Sequence, residues 1–151
     1  MGNDNLEKMT AKSWPYSEAC PGAVAELGVR VAKVGKMRGL VHYSKLVNGL
    51  ELRMTNVGDG APFELGVPEW SDLDRKILGD LLGRLSLDTY QRGKFLASAL
   101  VTAKGTSEPG EGFWTFVDEL GLFTSTSPTR RLMFWTEQVR LAHDWYASNT
   151  W

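Results

Sequence analysis

The stretch SDLDRKILGDLLGRLSLDTYQRG, residues 71–93, carries the clearest helical pattern in the chain. It opens with Ser71 and Asp74 in the Ser-x-x-acid form of a capping box, in which each side chain accepts a hydrogen bond from a backbone N–H at the helix start. Apolar residues then recur on one wide stripe: Leu73, Ile77, Leu78, Leu81, Leu82 and Leu85. Such a stripe predicts a helix that packs on the core of the domain.

Two glycines, Gly79 and Gly83, lie four residues apart on another side of the same helix. Glycine in a helix interior costs about 1 kcal/mol relative to alanine, so a physical reason for each is expected. Close approach of another backbone is the simplest reason.

The segments on either side of this helix have their own patterns. Pro21 to Gly39 reads as a helix whose apolar face is Val24, Leu27, Val31 and Val34. An extended segment at 41–43 follows, and then a short helix over 45–49 that Ser44 caps and Gly49 ends. The stretch 95–103, FLASALVTA, is short, apolar and bounded by glycines, which predicts a buried strand. Residues 56–70, rich in glycine and proline, are predicted to form a long loop.

Two further helices are predicted near the C-terminus. Residues 112–122 provide Phe113 and Trp114 for the core, and residues 128–149 begin at Pro128 after Ser127 as N-cap. The expected fold is therefore α+β and mainly helical. Residues 21–151 form its single globular domain, and residues 1–20 form a loosely ordered arm that Trp14 and Tyr16 attach to the domain.

Composition narrows the class of protein. The 151 residues are 42% hydrophobic, which suffices for a core without covalent cross-links. Cys20 is the single cysteine, so neither an intramolecular disulfide nor a cysteine-based zinc site is expected. No apolar run is long enough to span a membrane, and the first residues lack the apolar core of a signal peptide, so we expect a cytoplasmic protein with no membrane partner.

The net charge of −1 hides an uneven distribution of charges. Between Gly28 and Leu50 the chain carries five basic residues and no acid: Arg30, Lys33, Lys36, Arg38 and Lys45. This distribution predicts one basic side on an otherwise neutral molecule, and a basic surface is what nucleic-acid phosphates require.

The loop KGTSEPGEGFW, residues 104–114, allows several interpretations. It is not a Walker phosphate loop, because Lys104 precedes the glycines and two acids would repel a phosphate. Three readings stay open: a structural turn around Pro109, an anion site at the amides of residues 110–113, and an acidic site formed by Glu108 and Glu111.

Residues 40–105 resemble a known DNA-binding arrangement. GLVHYSKLVNGLEL, then DRKILGDLLGRLS and a predicted strand, resembles the helix-helix-strand core of winged-helix domains and the DNA-binding half of alkyltransferase-like proteins. The resemblance implies a winged-helix-like core with additional C-terminal helices. The alkyltransferase-like family carries its active cysteine in a Pro-Cys-His-Arg motif, whereas this chain has LASALV there, which excludes alkyl transfer.

A second resemblance covers residues 95–146. A stretch of sequence similar to one in small uncharacterised bacterial proteins runs through LASALVTAKGTSEPGEGFWTFVDELGL and the FWTEQVRLAHDWY that follows it. This resemblance implies a bacterial protein and assigns no catalytic residue.

These observations predict a non-catalytic DNA-binding module of winged-helix type, with no metal and no cofactor. The residues expected to contact nucleic acid are Arg30, Lys33, Lys36, Arg38, Lys45, Arg84, Arg92 and Lys94. One alternative is a protein-interaction subunit with an exposed surface formed by some of its six tryptophans. The other is a small enzyme with an acidic site in the 105–112 loop, completed by a histidine that the fold brings near.

Overall fold

The computed structural model describes the backbone of residues 2–151 and the side chains of residues 4–151. Over these residues the chain is mainly helical, with a small parallel sheet of two strands. The helices are α1 (Gly2–Ala11), α2 (Pro15–Ala19), α3 (Pro21–Lys36), α4 (Tyr43–Val47), α5 (Asp72–Gly93), α6 (Glu111–Glu119) and α7 (Pro128–Ser148). The strands are β1 (Val41–His42) and β2 (Val101–Thr102), and short 3₁₀ helices span Gly58–Gly60 and Ala97–Leu100.

Helix α5 lies at the centre and begins as the sequence predicts. The Ser71 hydroxyl accepts a hydrogen bond from the Asp74 N–H at 3.0 Å, and the Asp74 carboxylate accepts one from the Ser71 N–H at 3.1 Å. The capping box is therefore confirmed. The predicted stripe is buried from Ile77 to Leu85, but Leu73 lies in the first turn, is 45% exposed and does not join the core.

The predicted strand at 95–103 is mostly wrong. The segment is buried, but residues 97–100 form a 3₁₀ helix and only β2 is extended. Buried hydroxyls of α5 explain the difference. Thr89 Oγ1 donates to the Phe95 carbonyl at 2.9 Å and accepts from the Ala97 N–H at 3.1 Å, while Ser86 Oγ accepts from the Ser98 N–H at 2.9 Å. These bonds satisfy the backbone that a neighbouring strand would otherwise satisfy.

Parallel pairing of β1 with β2 joins the short helix α4 to the 3₁₀ segment. Val41 pairs with Val101 and His42 with Thr102. The pairing sets α4 beside the loop that follows β2, so two segments about sixty residues apart in sequence become neighbours.

Two apolar clusters form the core. The first fills the space between α3, α5 and α7, with Leu27, Val31, Leu81 and Tyr146 at 0% exposure. The second joins α1, α6 and the N-terminal half of α7 around Met9, Val117 and Trp135. The helices expected after residue 111 are confirmed, with Ser127 as N-cap and Pro128 in the first turn of α7.

Residues 2–20 are more regular than the sequence predicted for an arm attached through Trp14 and Tyr16. They contain α1 and α2, and Trp14 is buried with its indole N–H donating to the Met9 carbonyl at 3.0 Å. Asp80 of α5 accepts a hydrogen bond from the Ser17 N–H at 2.8 Å, which ties α2 to the central helix. The sequence pattern missed this because the segment packs through a few isolated large residues and not through a continuous stripe. Residue 1 lies outside the described residues.

Candidate functional site

A cavity of about 510 Å³ opens between the start of α4, the middle of α5 and the loop that leads from β2 into α6. Aromatic rings contribute much of its wall: Tyr43, Trp70, Phe113 and Phe116. Leu78 and Leu82 of α5 add aliphatic surface. We call this space the Tyr43 cavity. Its size and lining are those of small-molecule sites in proteins, which are mostly apolar with a few placed polar groups.

The loop 103–110 forms one side of the cavity and is fixed by its own hydrogen bonds. The Ala103 N–H donates to the Glu108 carbonyl at 3.0 Å, and the Gly110 N–H donates to the Tyr43 hydroxyl at 3.0 Å. Pro109 is buried, but the turn lies at Lys104 and Gly105 and not around Pro109 as predicted, with the Thr106 N–H donating to the Ala103 carbonyl at 3.3 Å. Of the amides at 110–113 considered for an anion, the Gly110 and Phe113 N–H groups are engaged within the protein, the latter with the Gly110 carbonyl.

Tyr43 provides the central polar group of the cavity. Burial raises the pKa of its hydroxyl above the usual tyrosine value, and the hydrogen bond from Gly110 opposes part of that rise. The hydroxyl is therefore neutral at physiological pH. Its oxygen accepts from Gly110, and within the described part of the chain its proton has no acceptor, so the O–H can donate to a bound molecule.

The two glycines of α5 turn out to have different surroundings. A Cβ at Gly83 would lie 2.8 Å from the Trp14 ring, so a side chain and not the expected backbone lies close there. A Cβ at Gly79 would meet no atom within 4 Å, although Gly79 lines the cavity. Gly112, in the first turn of α6, lines the same cavity and is equally open. The helical cost of Gly79 therefore has no packing explanation within the fold.

Three charged side chains line the cavity as well. Arg75 is paired with Asp72 at 3.3 Å, and Glu111 is paired with Arg131 at 3.0 Å. Lys104 is exposed and, among the residues that the structure describes, pairs with no acid. The cavity thus has one uncompensated charge, and it is positive.

The basic residues predicted to contact nucleic acid lie on α3, α4 and α5 and in the turns that follow α3 and α5. Arg30 is half-buried, pairs with Glu26 at 2.8 Å and donates to the Leu46 carbonyl at 2.8 Å, so it fastens α4 to α3. Arg38 pairs with Asp144 at 3.1 Å. Lys33, Lys36 and Lys45 are exposed and have no acidic partner within residues 4–151.

The other three predicted residues lie toward the far half of α5. Arg84 pairs with Asp88 at 3.2 Å, Lys94 lies 5.2 Å over the Tyr90 ring, and the Arg92 guanidinium lies 4.8 Å over the Trp151 ring. Arg84 and Arg92 line a second, wider groove of about 760 Å³ beside α2 and α3. Their contacts are internal to the protein.

The structure also shows the surroundings of the residues behind the two alternatives, the tryptophan surface and the acidic site. The six tryptophans do not form an exposed surface: Trp14, Trp114 and Trp135 are buried, and the other three are half-buried. In the 105–112 loop Glu111 is engaged by Arg131 and Glu108 is exposed. Over the described residues no cluster of three His, Cys, Asp or Glu side chains is arranged to hold a metal. No helix among them is both long and apolar enough to cross a membrane.

The 104–114 loop and Gly79 both stand out in the sequence, but nothing in the sequence shows that they line one cavity. The sequence pattern also missed Tyr43 and Trp70, whose positions are set by the β1–β2 pairing and by the 56–70 loop. Comparison with protein-family models, curated proteins and solved structures gives no match for this chain.

Proposed function

We propose that this protein is a small-molecule-binding module and that the Tyr43 cavity is its binding site. The observation that carries the proposal is the cavity wall itself: four aromatic side chains line it beside Gly79 and Gly112, two exposed helical glycines at which a Cβ would meet no atom within 4 Å. Because both glycines line the cavity, we expect a side chain at either one to reduce the space available to a ligand.

The size of the cavity supports a small ligand. Its volume of about 510 Å³ lies within the range of roughly 300–1,000 Å³ that is usual for small-molecule sites. Aromatic walls bind a flat apolar molecule by burying its surface, which contributes about 25 cal/mol for each Å² removed from water. The polar groups Tyr43 and Ser44 would then orient the ligand.

The test uses phenylnaphthylamine, a neutral dye that fluoresces when it leaves water. We expect saturable binding to the wild type and at least a tenfold weaker affinity for Gly79→Leu, because the isobutyl group would occupy the cavity. The matched control is Gly22→Leu, since Gly22 is another helical glycine whose Cβ would meet nothing within 4 Å but does not line the cavity. Equal dye affinity of all three proteins would refute the proposal.

The nucleic-acid-binding module remains a second candidate, favoured by the three exposed lysines Lys33, Lys36 and Lys45. It relies on these lysines and not on α5, because α5 is covered by its neighbours along most of its length. The winged-helix-like arrangement stays a prediction within this candidate. Contacts of lysines with phosphates would give salt-dependent binding without sequence preference.

This candidate is tested by fluorescence anisotropy of a labelled DNA duplex at two salt concentrations. The variant Lys33→Glu/Lys36→Glu/Lys45→Glu should lose binding. A control with the same change in charge, Lys8→Glu/Lys12→Glu/Lys76→Glu, should keep most of it, since these lysines lie on α1, beyond its end and on α5. No binding by the wild type at low salt, or an equal loss in both variants, would remove the candidate.

A further inference from the structure

We infer that the ligand of the Tyr43 cavity is a flat apolar molecule that carries one anionic group. The inference rests on the proposed function and adds the chemical class of the ligand. It follows from the balance of donors, acceptors and charges around the cavity, independently of the cavity's volume.

The polar groups that remain available in the cavity are donors. The Tyr43 oxygen already accepts from Gly110, so its O–H is left to donate. The Ser44 oxygen already accepts from the Trp70 indole N–H at 3.2 Å, which leaves the serine proton to donate as well. A ligand that presents acceptors to these two groups uses both of the protons that the protein leaves without a partner.

The charges around the cavity also favour an anionic ligand. Arg131 neutralises Glu111 and Asp72 neutralises Arg75, whereas Lys104 has no acidic partner within the described residues. A ligand anion near Lys104 would gain an ion pair and would meet no uncompensated acid. A cationic ligand could gain from the faces of the aromatic rings but would be repelled by Lys104, so the charge balance of the cavity favours an acid.

The aromatic and aliphatic parts of the wall define the rest of the ligand. Trp70, Phe113 and Phe116 offer ring surfaces, and Leu78 and Leu82 offer methyl groups. Burying a strongly hydrated polar body against such a wall would cost free energy, because its hydrogen bonds to water would not be replaced. An apolar body with its acid directed to Tyr43 and Lys104 satisfies both parts of the site.

Two dyes with the same aromatic rings distinguish the contribution of the anionic group to binding from the contribution of the apolar cavity wall. Anilinonaphthalene sulfonate carries an anionic group, and phenylnaphthylamine is its neutral counterpart. Dissociation constants of both dyes are measured by fluorescence for the wild type and each variant, and each variant is first shown to unfold cooperatively. The variants are Lys104→Gln and Tyr43→Phe, with Lys36→Gln as the matched control because Lys36 is an exposed lysine outside the cavity.

We expect Lys104→Gln to weaken binding of the sulfonate dye about three- to fivefold, as loss of one exposed ion pair implies. Tyr43→Phe should weaken it to a similar extent. Lys104→Gln should not alter the affinity of the neutral dye more than about twofold. Lys36→Gln should leave both dyes unaffected. If Tyr43→Phe does not fold, the Lys104→Gln comparison alone decides the outcome.

Three other results would refute either the anionic group of the ligand or the binding site as a whole. If both dyes bind and Gly79→Leu blocks both, but Lys104→Gln weakens the sulfonate dye no more than Lys36→Gln, the acid is refuted and the binding site stands. If sulfonate binding survives in Gly79→Leu, that dye binds elsewhere and the acid is again refuted. If neither dye binds the wild type, both the proposed function and the ligand class fail.

Discussion

The same substitution, glycine to alanine within a helix, should have opposite effects at Gly79 and Gly35. At Gly79 the new methyl group meets no atom within 4 Å. At Gly35 of α3 it would lie 2.2 Å from Cδ2 and 2.7 Å from Cγ of Tyr146. The Tyr146 ring is 0% exposed and lies 5.1 Å from the Phe95 ring, so it has no open space into which it can move.

The expected changes in the free energy of unfolding follow from helix propensity and from overpacking. Alanine gains about 1 kcal/mol over glycine in a helix interior, so Gly79→Ala should raise the free energy of unfolding by about that amount. At Gly35 the same gain is opposed by overpacking of about 1–3 kcal/mol, and so close an approach to a rigid ring places the cost at the upper end. Gly35→Ala should therefore lower the free energy of unfolding by about 2 kcal/mol.

Urea denaturation and thermal unfolding measure both changes. For a chain of this length, we expect Tm to rise by about 2–4 °C for Gly79→Ala and to fall by about 4–8 °C for Gly35→Ala. In a Tyr146→Leu background the cost of Gly35→Ala should shrink, because the ring that causes it is gone. Changes of the same sign at both glycines would refute the packing of α3 against α7 and the openness of the cavity wall at Gly79.

Three further predictions concern buried hydroxyl groups. Tyr43→Phe leaves the Gly110 N–H without its acceptor and should cost about 1 kcal/mol in urea denaturation, whereas Tyr90→Phe, whose hydroxyl makes no hydrogen bond to the described residues, should cost less. Thr89→Val should cost about 2 kcal/mol while Thr89→Ser stays near wild type, and equal losses would contradict the role of the hydroxyl in holding residues 95–97. Burial raises the pKa of both the Tyr43 and Tyr146 hydroxyls, so the folded state holds their protons more tightly than the unfolded chain does. Stability should be unaffected by these groups below about pH 10 and fall as the pH rises further, with a shallower fall for Tyr43→Phe; a flat profile would count against their burial.

Local signals in the sequence were sufficient for most of the helices. The Ser71–Asp74 capping box, Pro21 and Pro128 in first turns, and Ser127 as N-cap each act within a few residues, so their effects can be read from the chain alone. The core stripes of α3 and α5 follow from the same short-range periodicity.

Local signals failed where distant groups decide the backbone. Residues 95–100 have the composition of a strand, but Thr89 and Ser86 provide the hydrogen-bond partners that make them a 3₁₀ segment. The N-terminal helices were missed because their support comes from Asp80 and from the burial of Trp14 against α5.

The candidate site illustrates this division most clearly. The sequence by itself determined the loop around Pro109, the acidic residues within it and an unexplained glycine in α5. Only the tertiary structure brought Tyr43, Trp70 and Gly79 to one cavity and left Lys104 as its uncompensated charge. Helix propensity and capping depend on neighbours along the chain, whereas a cavity and its charge balance depend on segments that meet only when the chain is folded.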